Sequence, residues 1–200
     1  MIITISNLYG CGAVAVAHDV ADRLSYTYVD EQLPVVVAKR LQTSPQAVES
    51  AEEAADSVGD RMLRALESGT PEIRQPPGAT FDEECLREVR ETVREFAAHG
   101  NVVIVGRGGG AILGRRPDVL RVFLHAPRDW RIQHILEAYG ASEDVVTAEI
   151  DRIDRARAKH IEVNYNLKWT DARNYDLCID VASLGTKGAV DAIVNAVRSR

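Results

Sequence analysis

The sequence predicts an α/β fold in which short parallel strands alternate with crossover helices. Three observations carry this. The apolar run Met1-Ile2-Ile3-Thr4-Ile5 passes through Tyr9-Gly10-Cys11-Gly12 straight into an apolar helix. Asn101–Val105 is too short and too β-branched for anything but a central strand, and it ends in the turn Gly106-Arg107-Gly108-Gly109-Gly110. Along the whole chain, short apolar runs alternate with helical patterns, without an internal repeat or a low-complexity tract.

The elements follow in order. Met1–Ser6 opens the sheet, and Val16, Val20 and Leu24 mark the buried side of the first helix. Tyr26–Asp30 reads as the second strand. Pro45 after Ser44 starts a helix, and Val48, Ala51, Ala55, Val58, Met62 and Leu66 recur at spacings of three and four, so one long amphipathic helix is expected up to Gly69. Thr70-Pro71 and Pro76-Pro77-Gly78 then break regular structure. The stretch 33–80 reads as a mobile insert. Leu86, Val89, Val93 and Phe96 mark the next helix, ending near Gly100. Val119–His125 is the fourth strand, Ala126-Pro127 starts a helix through Tyr139, and Ser142 caps a charged helix from about Glu143 to the low 160s. Tyr175–Asp180 is the fifth strand and Gly188–Val197 a terminal helix.

Two hundred residues suit one domain with a sizeable core, here divided into a core (about 1–32, 81–141 and 174–200), an insert (33–80) and a lid (142–173). The chain is 46% hydrophobic and 27% charged, ordinary for a globular protein, and no run approaches the ~20 apolar residues of a membrane span. Met1 enters a strand rather than a secretion signal, so a cytoplasmic protein is expected. A net charge of −6 argues against broad DNA or RNA binding. Cys11, Cys85 and Cys178 form neither a disulfide framework nor a zinc motif. His18, His99, His125, His134 and His160 show no metal-ligand spacing, so no metal site is expected.

A strand, glycine turn and helix start aim backbone N–H groups and a helix dipole at one point, which suits phosphate. A full Walker A loop adds Lys and Ser/Thr after its second glycine. Here Ala13-Val14-Ala15 fill those places, so the loop keeps the geometry and lacks the cation. Gly10, Cys11, Gly12 and Ala13 are either a donor-phosphate cradle made of amides or a turn kept for its shape. Cys11 either fills the tight turn or carries a thiol acidified by the helix start.

Three longer stretches resemble the cytidylate kinase-like family: Ile2–Ser6 with Tyr9–Gly12, then Val103–Gly108, then Val119–Pro127. Ile153-Asp154, Arg157, Trp169 and Asn174-Tyr175-Asp176-Leu177 add a fourth. The resemblance implies a P-loop kinase fold: a parallel five-stranded sheet flanked by helices, with a helical acceptor-binding insert and a lid. It departs from the family at the loop, where Ala13 and Val14 replace glycine and arginine, and at the lid, where His160-Ile161 and Val163-Asn164 replace tyrosine pairs.

The resemblance also places residues. It gives Arg107 an acceptor-nucleotide contact, for which a guanidinium fork is suited; a structural salt bridge is the alternative. Asp30 is either an acceptor-side hydrogen-bond partner or a helix N-cap. Arg152, Arg155 and Arg157 are the catalytic candidates of the lid, with Arg157 the best positional match. The first two read equally as a solvated helix face with Asp151 and Asp154. Trp169 is expected to pack the lid base and Trp130 the core. The implied activity is ATP-dependent phosphoryl transfer to a nucleoside monophosphate, CMP-like, with Mg²⁺ arriving on the nucleotide. The alternative is a kinase-fold nucleotide sensor without transfer activity, or a module that binds a protein partner or a second copy of itself.

Overall fold

The computed structural model describes residues 1–30, 32–53, 81–140 and 142–200. Five strands form one parallel sheet: β1 Ile2–Asn7, β2 Thr27–Val29, β3 Val102–Val105, β4 Val119–His125 and β5 Leu177–Asp180, in the order β2-β3-β1-β4-β5. The described helices are α1 Ala13–Leu24, α2 Gln32–Leu41, α3 Pro45–Glu53, α4 Phe81–His99, α5 Gly109–Leu113, α6 Arg128–Tyr139, α7 Glu143–Tyr165 and α8 Val181–Arg198. A 3₁₀ turn spans Ala172–Asn174. No described helix is long and apolar enough to cross a membrane.

The predicted parallel α/β sheet is therefore observed, and strand alternation explains its two cores. Ile3 and Ile5 of β1, Val103 of β3 and Val122 of β4 face α1 and α8, meeting Val16, Val20, Val190 and Ile193. Ile2, Val102, Ile104 and Val119 take the other side with Val37, Val48, Val89 and Val93 of α2, α3 and α4. Each fully buried side chain of this kind stabilises the fold by about 1.5–3 kcal/mol. Because α1 leaves β1 on one side and α5 leaves the adjacent β3 on the other, a crevice opens beyond the carboxyl ends of those strands.

Several expected boundaries move. The long helix predicted from Pro45 is seen as α3 to Glu53, with Ser44 Oγ accepting the Ala47 N–H at 3.1 Å; its expected continuation lies outside the described residues. Gly106–Gly110, expected to be a turn throughout, coils at Gly109 into α5, where the absent side chains let the helix sit against Thr4 and Ile104. Ser142 stands at the N-cap of α7 but makes no side-chain cap bond. The last strand starts at Leu177, because the Tyr175 N–H is used by the Ala172 carbonyl. The terminal helix starts seven residues earlier than expected, at Val181 rather than Gly188. Asp180 caps it by accepting the Ala182 N–H, and Gly185 interrupts it at φ 68°.

Candidate functional site

The crevice is a cleft of about 590 Å³ lined by the ends of β1 and β3, the first turn of α1, and one face each of α6 and α7. It gathers Gly10, Gly12, Ala13, Asp30, Arg107, Arg152 and Arg157 from the residues singled out in the sequence. Cys11 and Arg155 are not among its lining residues.

Gly10 and Gly12 carry the turn at φ 81° and 72°, conformations that glycine adopts at no steric cost. At Gly10 space is also limiting: a Cβ there would stand 2.6 Å from Ile135 Cδ1 of α6. Gly12 is the N-cap of α1 and supplies no side-chain bond, so the first-turn amides are left to whatever occupies the cleft. Ala13 is buried, while Val14 is 54% exposed in the cleft where a cation was missed. Of the two readings of Cys11, the structure takes the packing one. Its thiol is wholly buried and points at the Leu124 carbonyl, 3.7 Å away, and burial pushes its pKa up to about 11.

The loop is gripped from above by α6 and α7. Asp154 of α7 accepts the Tyr9 N–H at 2.9 Å, and Arg131 of α6 donates to the Tyr9 carbonyl at 2.9 Å and to the other Asp154 oxygen at 2.7 Å. The N–H and the carbonyl of one loop residue are thus both held by an ion pair whose arginine is buried and whose carboxylate is partly exposed. One turn further along α7, Arg157 donates to the Asn7 carbonyl at 2.8 Å and lies 6.0 Å from the centre of the Tyr9 ring. Burial draws the Arg157 guanidinium below its ordinary pKa; Asp154, Cys11 and Asp30 act the other way, and Arg107 adds to the lowering. Ile132 and Ile135 of α6 meet Val146 and Ile150 of α7 in an apolar seam that joins the two helices.

The turn after β3 has three successive left-handed residues, Gly106, Arg107 and Gly108, at φ 66°, 52° and 66°. For Arg107 that conformation costs about 1–2 kcal/mol, a strain that places its side chain in the cleft. Gly108 has no room for a side chain, since a Cβ would stand 2.8 Å from the Tyr165 ring. Asp30 follows β2 and lines the cleft, where its carboxylate accepts from Tyr28 Oη at 3.1 Å; at the start of α2 it is the backbone carbonyl of Asp30 that accepts the Leu33 N–H.

Among the three arginines singled out on α7, Arg157 faces inward, Arg152 is exposed at the cleft, and Arg155 is exposed elsewhere. Asp151 pairs with Arg128 of α6 at 2.9 Å, a link between helices instead of a pair along its own. Trp169 packs the base of α7 as expected, edge-on to Phe123 at 5.7 Å and beside Ile161. Trp130 packs partly on the core and also stacks on His134. Sequence reasoning passed over Arg131 and the loop-holding role of Asp154. The signal was present: Arg131 falls on the buried stripe of Ile135, four residues on, and a charge in an apolar stripe needs a partner.

Known proteins share this architecture. The cytidylate kinase of Halobacterium salinarum is 26% identical over 199 residues, covering 98% of this chain and 89% of that one. An uncharacterized protein from Eubacterium ventriosum has the same fold at a TM-score of 0.70 and 19% identity, over 100% of this chain and 99% of that chain. A shikimate kinase from Acinetobacter baumannii, solved with shikimate, aligns at a TM-score of 0.50 and 10% identity over 99% of this chain and 93% of its own. The fold is thus the α/β fold of P-loop kinases. The model of one family matches residues 2–183, nearly the whole chain and every element lining the cleft. Since that match spans nearly the whole chain, the chain belongs to the cytidylate kinase-like family.

Proposed function

We propose that the cleft binds a nucleoside monophosphate, CMP in the first instance, beside a nucleoside triphosphate whose terminal phosphoryl group it receives. One observation carries the reading: the α1 N-terminus with its glycine loop, Arg107 and Arg157 all line a single cleft at the switch point of the sheet. In such a transfer an acceptor phosphate oxygen forms a bond to the γ-phosphorus while its bond to the β,γ-bridging oxygen breaks. The protein has to align the two nucleotides and neutralise charge. The loop amides hold the donor's phosphates, Arg107 and Asp30 hold the acceptor, and Arg157 stands between them. On this reading 33–80 is the acceptor insert and 142–173 the lid.

Mg²⁺ would arrive on the donor nucleotide. Among the described residues no three His, Cys, Asp or Glu side chains are placed to hold a metal, and the loop offers no hydroxyl after Gly12. Val14 supports a second reading, binding without transfer, because an exposed apolar side chain occupies the place where a cation would stabilise the transferring group. Calorimetry with ATP and CMP, each with and without Mg²⁺, followed by a coupled ADP-release assay, separates the two. CMP-dependent ADP release supports transfer, and nucleotide binding without release supports the sensor. Failure to bind any nucleotide refutes both.

A further inference from the structure

We infer that His134 is a phosphate-contacting residue of the glycine loop, supplying through space the donor that the loop lacks in sequence. It lines the cleft with Gly12, Ala13 and Val14, and its Nε2 lies 3.6 Å from the point a Cβ on Gly12 would occupy. The nitrogen is thus aimed at the N-cap of α1, where the first-turn amides converge. Its ring is also held in orientation. His134 stacks on Trp130, one turn earlier on α6, with ring centres 4.8 Å apart and planes 11° from parallel.

The helix that carries it is fixed to the loop on either side of His134: Arg131 donates to the Tyr9 carbonyl, and Ile135 packs over Gly10. An imidazole placed this way has a preorganised N–H for a phosphate oxygen. Val14 cannot do this, Arg107 stands on the turn after β3, and Arg157 is engaged with the Asn7 carbonyl at the other end of the loop. The inference rests on the reading of the cleft as a nucleotide site and adds a residue that neither loop spacing nor family resemblance had singled out.

Calorimetric titration of wild type, His134→Ala and His134→Lys with inorganic tripolyphosphate, ATP and CMP tests it. His134→Ala should weaken tripolyphosphate and ATP about ten- to a hundredfold, the scale of one charge-assisted hydrogen bond. CMP affinity should stay unchanged, which also reports an intact fold. His134→Lys should recover most of the loss. Wild-type affinity for both polyphosphates in His134→Ala overturns the inference and leaves the nucleotide site standing. Loss of CMP binding in step with ATP in a folded His134→Ala also overturns it, because the residue would then support the cleft as a whole. A wild type that binds none of the three probes overturns the site reading and this inference together.

Discussion

Asp154→Ala removes the two oxygens that hold the glycine loop and its arginine partner, and its cost follows from what it strands. One oxygen accepts the Tyr9 N–H and the other the Arg131 guanidinium, whose side chain is only 7% exposed. Removing one partner of a buried ion pair costs about 3–5 kcal/mol, chiefly because the remaining charge stays desolvated, and the orphaned Tyr9 amide is part of that loss. In a domain of this size each kcal/mol lowers Tm by about 2–4 °C, so a fall of roughly 6–20 °C is expected. Thermal unfolding by circular dichroism measures it. A double-mutant cycle with Arg131→Met locates the cause: if stranded charge dominates, Asp154→Ala should cost at least about 2 kcal/mol less in the Arg131→Met background. An Asp154→Ala melt within about 2 °C of wild type, or an unchanged cost in that background, refutes the reasoning.

The other predictions address the loop, Arg107 on the turn after β3, and the packing below α7. Gly10→Ala should destabilise by about 2–4 kcal/mol, because φ 81° is strained for alanine and its Cβ meets Ile135, and a melt equal to wild type would count against the loop geometry. Arg107→Ala should weaken CMP binding by about 1.5–3 kcal/mol with Tm little changed; equal CMP affinity by calorimetry would remove Arg107 from the acceptor site. Ala13→Gly with Val14→Arg should raise ATP affinity and turnover, since position 14 is exposed in the cleft, and unchanged ATP affinity would show that the loop is not a donor site. Tyr175, whose hydroxyl donates to the Trp169 carbonyl at 2.7 Å, has its pKa pushed by burial from 10.0 to about 12. Stability from this group is complete below pH 10 and lost as pH rises towards 12, so Tyr175→Phe should flatten the alkaline limb of a stability profile; an identical limb would exclude Tyr175 as its cause.

What the sequence disclosed depended on the range of the signal. The β-branched run at Val102–Val105 and the alternation of apolar runs with helical patterns are local, and they led directly to the parallel sheet. Gly10, Gly12 and the Arg107 turn were legible because glycine patterns announce backbone shape. Their meeting with Arg157 was carried by the family resemblance. The Arg131–Asp154 pair joins residues 23 apart through a loop 122 residues from Arg131, and His134 reaches Gly12 only because α6 crosses above it. Such juxtapositions are products of tertiary packing, and no spacing in the chain encodes them. Cys11 was ambiguous for a related reason, since its environment depends on how deeply the turn sinks beside β4.

The grip of α7 on the loop has a thermodynamic consequence. Asp154 and Arg157 lie on one stripe of the helix and reach Tyr9 and Asn7, so the helix and the loop share hydrogen bonds at two points. A molecule in the loop that strengthens those bonds must raise the affinity for anything held by the docked helix. By linkage, the second molecule returns the favour by the same factor. The loop and the helix are therefore two ends of one equilibrium: occupancy at either end reports on the other, whether or not a phosphoryl group ever passes between them.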